Sequence, residues 1–180
     1  MKNTEVTRKN GKRLIKNKQE RHQVFSEEVS YVLKELLTQP VLGSKGTATY
    51  CKINGVDVAA KTGTTDENYD RWLCGFTPYY TATCWYGYDK NETVNFNKKN
   101  PAGLIWANVM TRIHSGLASA IFERPSKVEV ATICNVSGEK ATTGCTDIYT
   151  EFFVKGTVPR DCEIHVGTPI VVDERSTYRN

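Results

Sequence analysis

The stretch "VDVAAKTGTTDENYDRW", Val56–Trp72, passes from apolar to charged within a few residues. Its first half has a strand pattern, and Asn54-Gly55 just upstream is a preferred two-residue hairpin turn. Its second half ends that strand on Lys61, Thr62, Gly63 and Thr64, followed by Thr65 and a burst of charge. A plain turn needs the glycine and an Asp; it does not need a lysine, or hydroxyls on both sides of the glycine. On an exposed sheet edge, unpaired backbone N–H and C=O groups can take an extended peptide as an extra strand. Gly63 permits close approach of a ligand to that backbone. The hydroxyls of Thr62 and Thr64 can hold a carboxylate, while Lys61 adds positive charge and can take part in proton transfer. The N–H of Thr64 can act as one donor of an oxyanion hole. Together these groups suit acyl transfer on a peptide with a free C-terminal carboxylate. Three letters, K-T-G, also arise by chance in a turn of a Lys- and Thr-rich chain, so the surroundings decide.

Working outward, "ATYCKI", Ala48–Ile53, is expected to be the outgoing strand of the hairpin. "RWLCGFTP" and "TATCWYGYD" supply two more strands, rich in aromatic and β-branched residues and divided near Pro78. Upstream, Ser26 is a good N-cap, with Glu27 and Glu28 at the positive end of a helix dipole. Val29, Val32, Leu33, Leu36 and Leu37 recur at helical spacing, and Pro40 and Gly43 are expected to close the helix. A polar hairpin turning at Asn10-Gly11 precedes it. Downstream, Asn100 and Pro101 open a second helix with Ile105, Val109, Ile113 and Leu117 on one stripe, Trp106 and Met110 beside it. "KVEVATICNVSG" is expected to form one strand, the rest turns, and "TPIVVDERSTYRN" a tail. The fold class expected is α+β, an antiparallel sheet flanked by helices, each helix burying one face on the sheet.

At 180 residues and 39% hydrophobic content the chain has ordinary globular composition. No apolar run approaches the roughly 20 residues that span a bilayer. Residues 1–21 carry a charge of +6 and the remainder −2. A basic arm can contact nucleic acid or an anionic surface, but this one holds only Val6, Leu14 and Ile15 as apolar residues and no aromatic for bases to stack on. A solvated lead-in is the preferred reading, with no nucleic-acid partner expected. No cysteines are spaced C-x-x-C. Cys51, Cys74 and Cys84 have the surroundings of small core residues, whereas Cys134, Cys145 and Cys162 lie in a loop-rich part where a disulfide could form in an oxidising compartment. His22, His114 and His165 stand far apart, so no metal site and no cofactor is expected.

The pattern resembles a known family over about residues 5 to 165. "GTAT…VAAKTGTTDENYDRWLCGFTPYYTATCWYGYD" closely resembles the third active-site motif and following strands of the transpeptidase domain in class A bifunctional penicillin-binding proteins. "SEEVSYVLKELLTQPVLGSKGTA" is similar to the helix before that strand, "NPAGLIWANVM" to the C-terminal helix, and "SGEKATTGCTDIYTEFFVKGTVPRDCEIH" to the end of the domain. The superfamily's three motifs are S-x-x-K, an S-D-N-like triplet and K-T-G. The resemblance implies residues 1–165 as the C-terminal, K-T-G half of such a domain and 166–180 as a tail. It implies a serine-type D,D-transpeptidase that cross-links peptidoglycan stem peptides and is blocked by β-lactams, with Lys61 and Thr64 catalytic and Lys61, Thr62, Gly63, Thr64 and Thr65 binding substrate. It implies a protein on the extracytoplasmic face of the cell membrane, its anchor outside this chain.

The departures matter equally. No S-x-N triplet occurs. "SGEK", Ser137–Lys140, fits S-x-x-K by letters but follows Lys61 and lies among glycines and threonines, so Ser137 is expected to be a turn residue. The nucleophile is therefore expected on the N-terminal part of the same domain, supplied outside these residues or by a separate chain. The alternative is a non-catalytic module that binds or senses β-lactams or peptidoglycan through the K-T-G edge.

Overall fold

Ser26 accepts a hydrogen bond from the Val29 N–H at 3.3 Å and so opens α1, Glu27–Leu42, in the computed structural model of the chain. The structure describes residues 5–16, 22–96 and 99–172. Pro40 does not close α1, as the sequence suggested, but lies inside its last turn. A proline there forfeits one N–H bond only, and the helix ends two residues later at Leu42, where the N–H of the capping Gly43 reaches the Gln39 carbonyl at 2.9 Å. The free Pro40 carbonyl then accepts from Ala48 at 2.8 Å, turning the chain back toward the sheet.

The expected outgoing strand is not a strand. Thr49–Cys51 forms one 3-10 turn, which sets Ala48 and Cys51, three residues apart, on the same side and fully buried. A strand would have sent one of them to solvent. The chain then turns at Gly55, φ +73°, and enters β3, Ala59–Thr64. β4, Asp70–Phe76, and β5, Thr81–Gly87, complete an antiparallel sheet in the order β3-β4-β5. Before α1, β1 (Glu5–Thr7) and β2 (Arg13–Lys16) form the expected hairpin, with Gly11 at φ +77°. The rest of the basic arm lies outside the described residues.

α2, Pro101–Ile113, is capped by the Asn100 side chain, which accepts from the Ala102 N–H at 3.0 Å. Beyond it, β6, Val128–Cys134, pairs with β7, Ile148–Val154, a strand that the sequence reading placed among turns. "IYTEFFV" carries the β-branched and aromatic content of a strand. Residues 173–180 of the expected tail lie outside the described residues, while Ile170 donates to the Ala141 carbonyl at 3.1 Å.

The principal core joins Val41, Cys51, Ala60, Leu73, Trp106 and Met110. Trp106 is its largest member, and its ring nitrogen donates to the Ala82 carbonyl at 3.0 Å. α2 packs on β4 and β5, and α1 on β3, β6 and β7. Neither helix buries the stripe that periodicity picked out. α1 buries Tyr31, Lys34, Thr38 and Val41 and leaves Val29, Leu33 and Leu36 exposed. α2 buries Ala102, Gly103, Trp106 and Met110, while Ile105, Val109, Ile113 and Leu117 are exposed. Small residues let the helix axes approach their neighbours: a Cβ on Gly103 would fall 2.3 Å from the Tyr50 hydroxyl. The fold class is thus the α+β one expected, with antiparallel sheets and two helices, but with two apolar helix faces turned to solvent.

Candidate functional site

The K-T-G segment forms the far end of β3, anchored by buried Ala59 and Ala60. In the sheet order β3-β4-β5, β3 is an edge: among the described residues no strand pairs with its other side. Thr62 lies opposite Leu73, Gly63 opposite Trp72 and Thr64 opposite Arg71. The Thr65 N–H donates to the Asp70 carbonyl at 3.3 Å, which fixes the phase of the ladder. Because antiparallel bonds alternate, Gly63 then faces β4, while the N–H and C=O groups of Thr62 and Thr64 point to the unpaired edge. Lys61 and Thr64 are exposed, Thr62 and Gly63 half-buried.

Side chains hold this edge from several directions. The Lys61 ammonium donates to the Thr62 carbonyl at 2.9 Å. The Thr62 hydroxyl lies 3.2 Å from that of Thr47, on the segment after α1. Arg71 donates from Nη1 to the Thr64 hydroxyl at 3.0 Å, and its guanidinium stacks 4.3 Å over the Phe96 ring. Arg71 does not pair with Asp70 beside it. Asp70 instead accepts from the Thr65 hydroxyl at 3.1 Å and from the Trp85 indole at 2.7 Å. Neighbours on a strand point to opposite faces, which separates Asp70 from Arg71.

The turn joining β3 to β4 stores backbone strain. Glu67 and Asn68 both have positive φ, 55° and 60°, without being glycines. Their carbonyls are held by the segment that follows β5: Thr93 donates to Glu67 at 3.2 Å and Val94 to Asn68 at 3.0 Å.

Gly63 is bare for a packing reason. A Cβ there would lie 3.1 Å from the Trp72 Cβ. Trp72 and Trp85 pair across β4 and β5 with ring centroids 6.4 Å apart, and both remain about two-fifths exposed. These rings form an open aromatic face beside Gly63. Cys74, read as a core residue, is exposed on β4. Cys51 is a core residue, and burial pushes its thiol up to about 11.

The remaining candidates fall elsewhere. Ser137 sits in a turn, its hydroxyl accepting from the Glu139 N–H at 3.2 Å, and Lys140 faces Asp161 at 3.8 Å; no helix aligns the two. His114 is a buried cap of α2, its ring bonded to Thr77 at 2.9 Å and to the Met110 carbonyl at 2.6 Å. His165 is different. The three histidines stand far apart in sequence, but the fold brings His165 against Cys134, Cys145 and Cys162, their ligand atoms all within 4.8 Å of one another. The signal in the sequence is Cys162-Glu-Ile-His165, a C-x-x-H rather than a C-x-x-C spacing.

Comparison with known proteins follows this division of the chain. Residues 3–111 match the family described as "Penicillin binding protein transpeptidase domain", and residues 124–167 match "Penicillin-binding protein 1A, C-terminal domain". Penicillin-binding protein 1A of Clostridium tetani is 36% identical over 171 residues, covering 90% of this chain and 22% of its own length. Penicillin-binding protein 2D of Bacillus subtilis is 31% identical over 164 residues, covering 86% of this chain and 23% of its own length. The chain thus spans about a fifth of the length of the curated relatives it matches. Among solved structures, penicillin-binding protein 1A from Haemophilus influenzae shares the fold with a TM-score of 0.62 and 23% identity, over 76% of this chain and 21% of that one.

Proposed function

The chain belongs to the penicillin-binding protein transpeptidase family, and from that premise we propose that its β3 edge binds the C-terminal carboxylate of a peptidoglycan stem peptide for serine acyl transfer by a D,D-transpeptidase. The observation that carries this reading is the free edge itself. Thr62 and Thr64 direct backbone N–H and C=O groups outward, beside the exposed ammonium of Lys61. A stem peptide docks as an added strand, and its carboxylate meets the hydroxyls of Thr62 and Thr64 and the charge of Lys61. The Thr64 N–H is one donor to the oxyanion of the tetrahedral intermediate. Gly63 keeps the face clear for the peptide. Thr65, tied to Asp70, fixes where the edge ends. A β-lactam presents a comparable carboxylate and occupies the same edge.

In this reading the attacking serine comes from the N-terminal part of the domain, beyond these residues. Two observations support that. Ser137 lies in a turn with no helix to align Lys140. The exposed stripes of α1 and α2 are faces for that other part to cover. Among the described residues no helix is long and apolar enough to cross a membrane, so placement on the extracytoplasmic membrane face rests on an anchor outside this chain.

The test is acylation by a fluorescent penicillin in a protein that contains the whole domain. Thr62→Val removes one hydroxyl facing a charged group, worth about 1.5–3 kcal/mol, or about ten- to a hundredfold in acylation rate. Unchanged acylation would remove Thr62 from the site. Covalent labelling of the 180-residue chain alone would overturn the assignment of the nucleophile to another part. A whole-domain protein that binds penicillin without forming a covalent bond would favour a sensing module.

A further inference from the structure

The loop region after β6 folds around very little apolar material, since the buried Val128, Val130, Ala131 and Ile133 all belong to β6 itself. Its core consists of Cys134, Ala141, Cys145 and Cys162, with Ile170 packed against them. Apart from the β6–β7 hairpin it is held by isolated bridges, Ile133 with Lys140, Lys140 with Asp161 and Thr142 with Pro169. Small modules with so thin a core need a covalent or metal cross-link to stay ordered.

Four side chains converge at its centre. Cys134 ends β6, Cys145 closes the turn that Thr142 begins, and Cys162 and His165 lie on the returning loop. Two glycines allow that loop to cross the turn in backbone contact. A Cβ on Gly144 would meet the Val166 carbonyl at 2.3 Å, and one on Gly167 would meet the Gly144 nitrogen at 2.7 Å. The Nδ1 atom of His165 lies 3.4 Å from the Cys134 sulfur, 3.6 Å from that of Cys145 and 3.4 Å from that of Cys162.

One ring nitrogen can make one hydrogen bond, as donor or as acceptor, so three sulfurs at equal range are not explained by hydrogen bonding. They are explained by a shared centre. With a metal at about 2.3 Å from sulfur and about 2.0 Å from nitrogen, tetrahedral angles place each sulfur about 3.5 Å from the nitrogen. The observed separations match that spacing. A disulfide between two of the cysteines needs sulfurs about 2.05 Å apart and would leave the third thiol and the imidazole without a function.

We propose that Cys134, Cys145, Cys162 and His165 form a structural zinc site that staples the C-terminal segment of this chain. Three thiolates and one imidazole nitrogen fill all four positions of a tetrahedron, which leaves none for substrate and makes the site structural rather than catalytic. Outer donors for the thiolates are in place: the Ser137 hydroxyl reaches the Cys162 sulfur at 3.3 Å and the Thr142 N–H the Cys145 sulfur at 3.4 Å. Thr142 also donates its hydroxyl to the His165 carbonyl at 2.7 Å, fixing the loop that carries the imidazole. His165 is half-buried while the cysteines are buried, so its edge is where the ion enters. The site is independent of the carboxylate-binding edge and stands or falls without it.

The experiment titrates the reduced, metal-stripped 180-residue chain with zinc chloride alone and measures bound metal after gel filtration and by native mass spectrometry. The expected result is one zinc per chain, and with cobalt(II) in its place an intense thiolate charge-transfer band with tetrahedral d–d absorption. Cys145→Ser and His165→Ala should each weaken binding at least a hundredfold, while Cys74→Ser, exposed on β4, keeps it in full. If the ligand variants do not fold, the cobalt spectrum of the wild-type chain decides alone. Failure of the reduced wild-type chain to bind zinc, a cobalt spectrum without thiolate bands, or undiminished binding in both ligand variants would each overturn the proposal. So would a chain isolated with two of Cys134, Cys145 and Cys162 joined as a disulfide and unable to take up zinc after reduction.

Discussion

The Arg71 guanidinium and the Thr64 hydroxyl meet at 3.0 Å across directly opposed positions of β3 and β4. Arg71 is 8% exposed, so its charge is delivered from beneath the sheet edge rather than from solvent. A hydroxyl that accepts from a guanidinium has its own proton free to point outward, toward a carboxylate. Arg71→Met keeps the packing on Phe96 and removes the donor. In a protein holding the whole domain, this should slow β-lactam acylation about tenfold, the equivalent of about 1.4 kcal/mol for a charge-assisted bond. Acylation kinetics equal to wild type would confine Arg71 to packing.

Gly75 lies under the central tryptophan. A Cβ built there falls 2.8 Å from the Trp106 ring and 3.0 Å from the Ala60 Cβ. Gly75→Ala should therefore destabilise the chain by about 1–3 kcal/mol through overpacking, although alanine is the better strand residue on backbone entropy. Urea denaturation of the two proteins checks this, and a neutral result would show that α2 can shift away from the sheet.

The start of α1 is sensitive to pH in a stated direction. Glu28 is held below the ordinary carboxylate range, first by the Ser26 hydroxyl, then by its own backbone N–H, with Lys127 3.7 Å away contributing less. A depressed acid stabilises the fold above its unfolded pKa, and that contribution is lost as pH falls through the folded one. The melting temperature of wild type should therefore fall more steeply than that of Glu28→Gln as pH drops through the carboxylate range. Ser26→Ala should cost about 1 kcal/mol at neutral pH from the lost cap. Parallel pH profiles for wild type and Glu28→Gln would rule out the carboxylate as the source.

Local signals were legible where local physics decides. Ser26 and Asn100 cap helices, Asn10-Gly11 turns a hairpin, and the strand carrying Lys61–Thr64 forms with the motif at its far end, all from short-range chemistry. The readings that failed depended on contacts between distant residues. Ala48–Ile53 has strand composition, but burying both Ala48 and Cys51 requires a 3-10 turn. The role of Arg71 follows from the register of β3 on β4, which no spacing rule gives. His165 joins Cys134 only because two glycines let a loop cross a turn.

The helix stripes show the same limit from the other side, and they yield the last prediction. Periodicity correctly found an apolar face on each helix, but periodicity does not say what covers it. Leu33 on α1 and Ile105 on α2 are instead 47% and 45% exposed. A face that the chain leaves open but the sequence keeps apolar is suited to covering by the rest of the domain. Leu33→Glu and Ile105→Glu together should change the stability of the isolated chain by about 0.5 kcal/mol per site or less, as exposed substitutions do, and should reduce its self-association in sedimentation runs. In a protein with the whole domain the same pair should lower the melting temperature by several degrees, because each glutamate there is buried without a partner. If the whole-domain protein tolerates both charges with no change in melting temperature, these stripes face solvent there too, and the proposed covering does not use them.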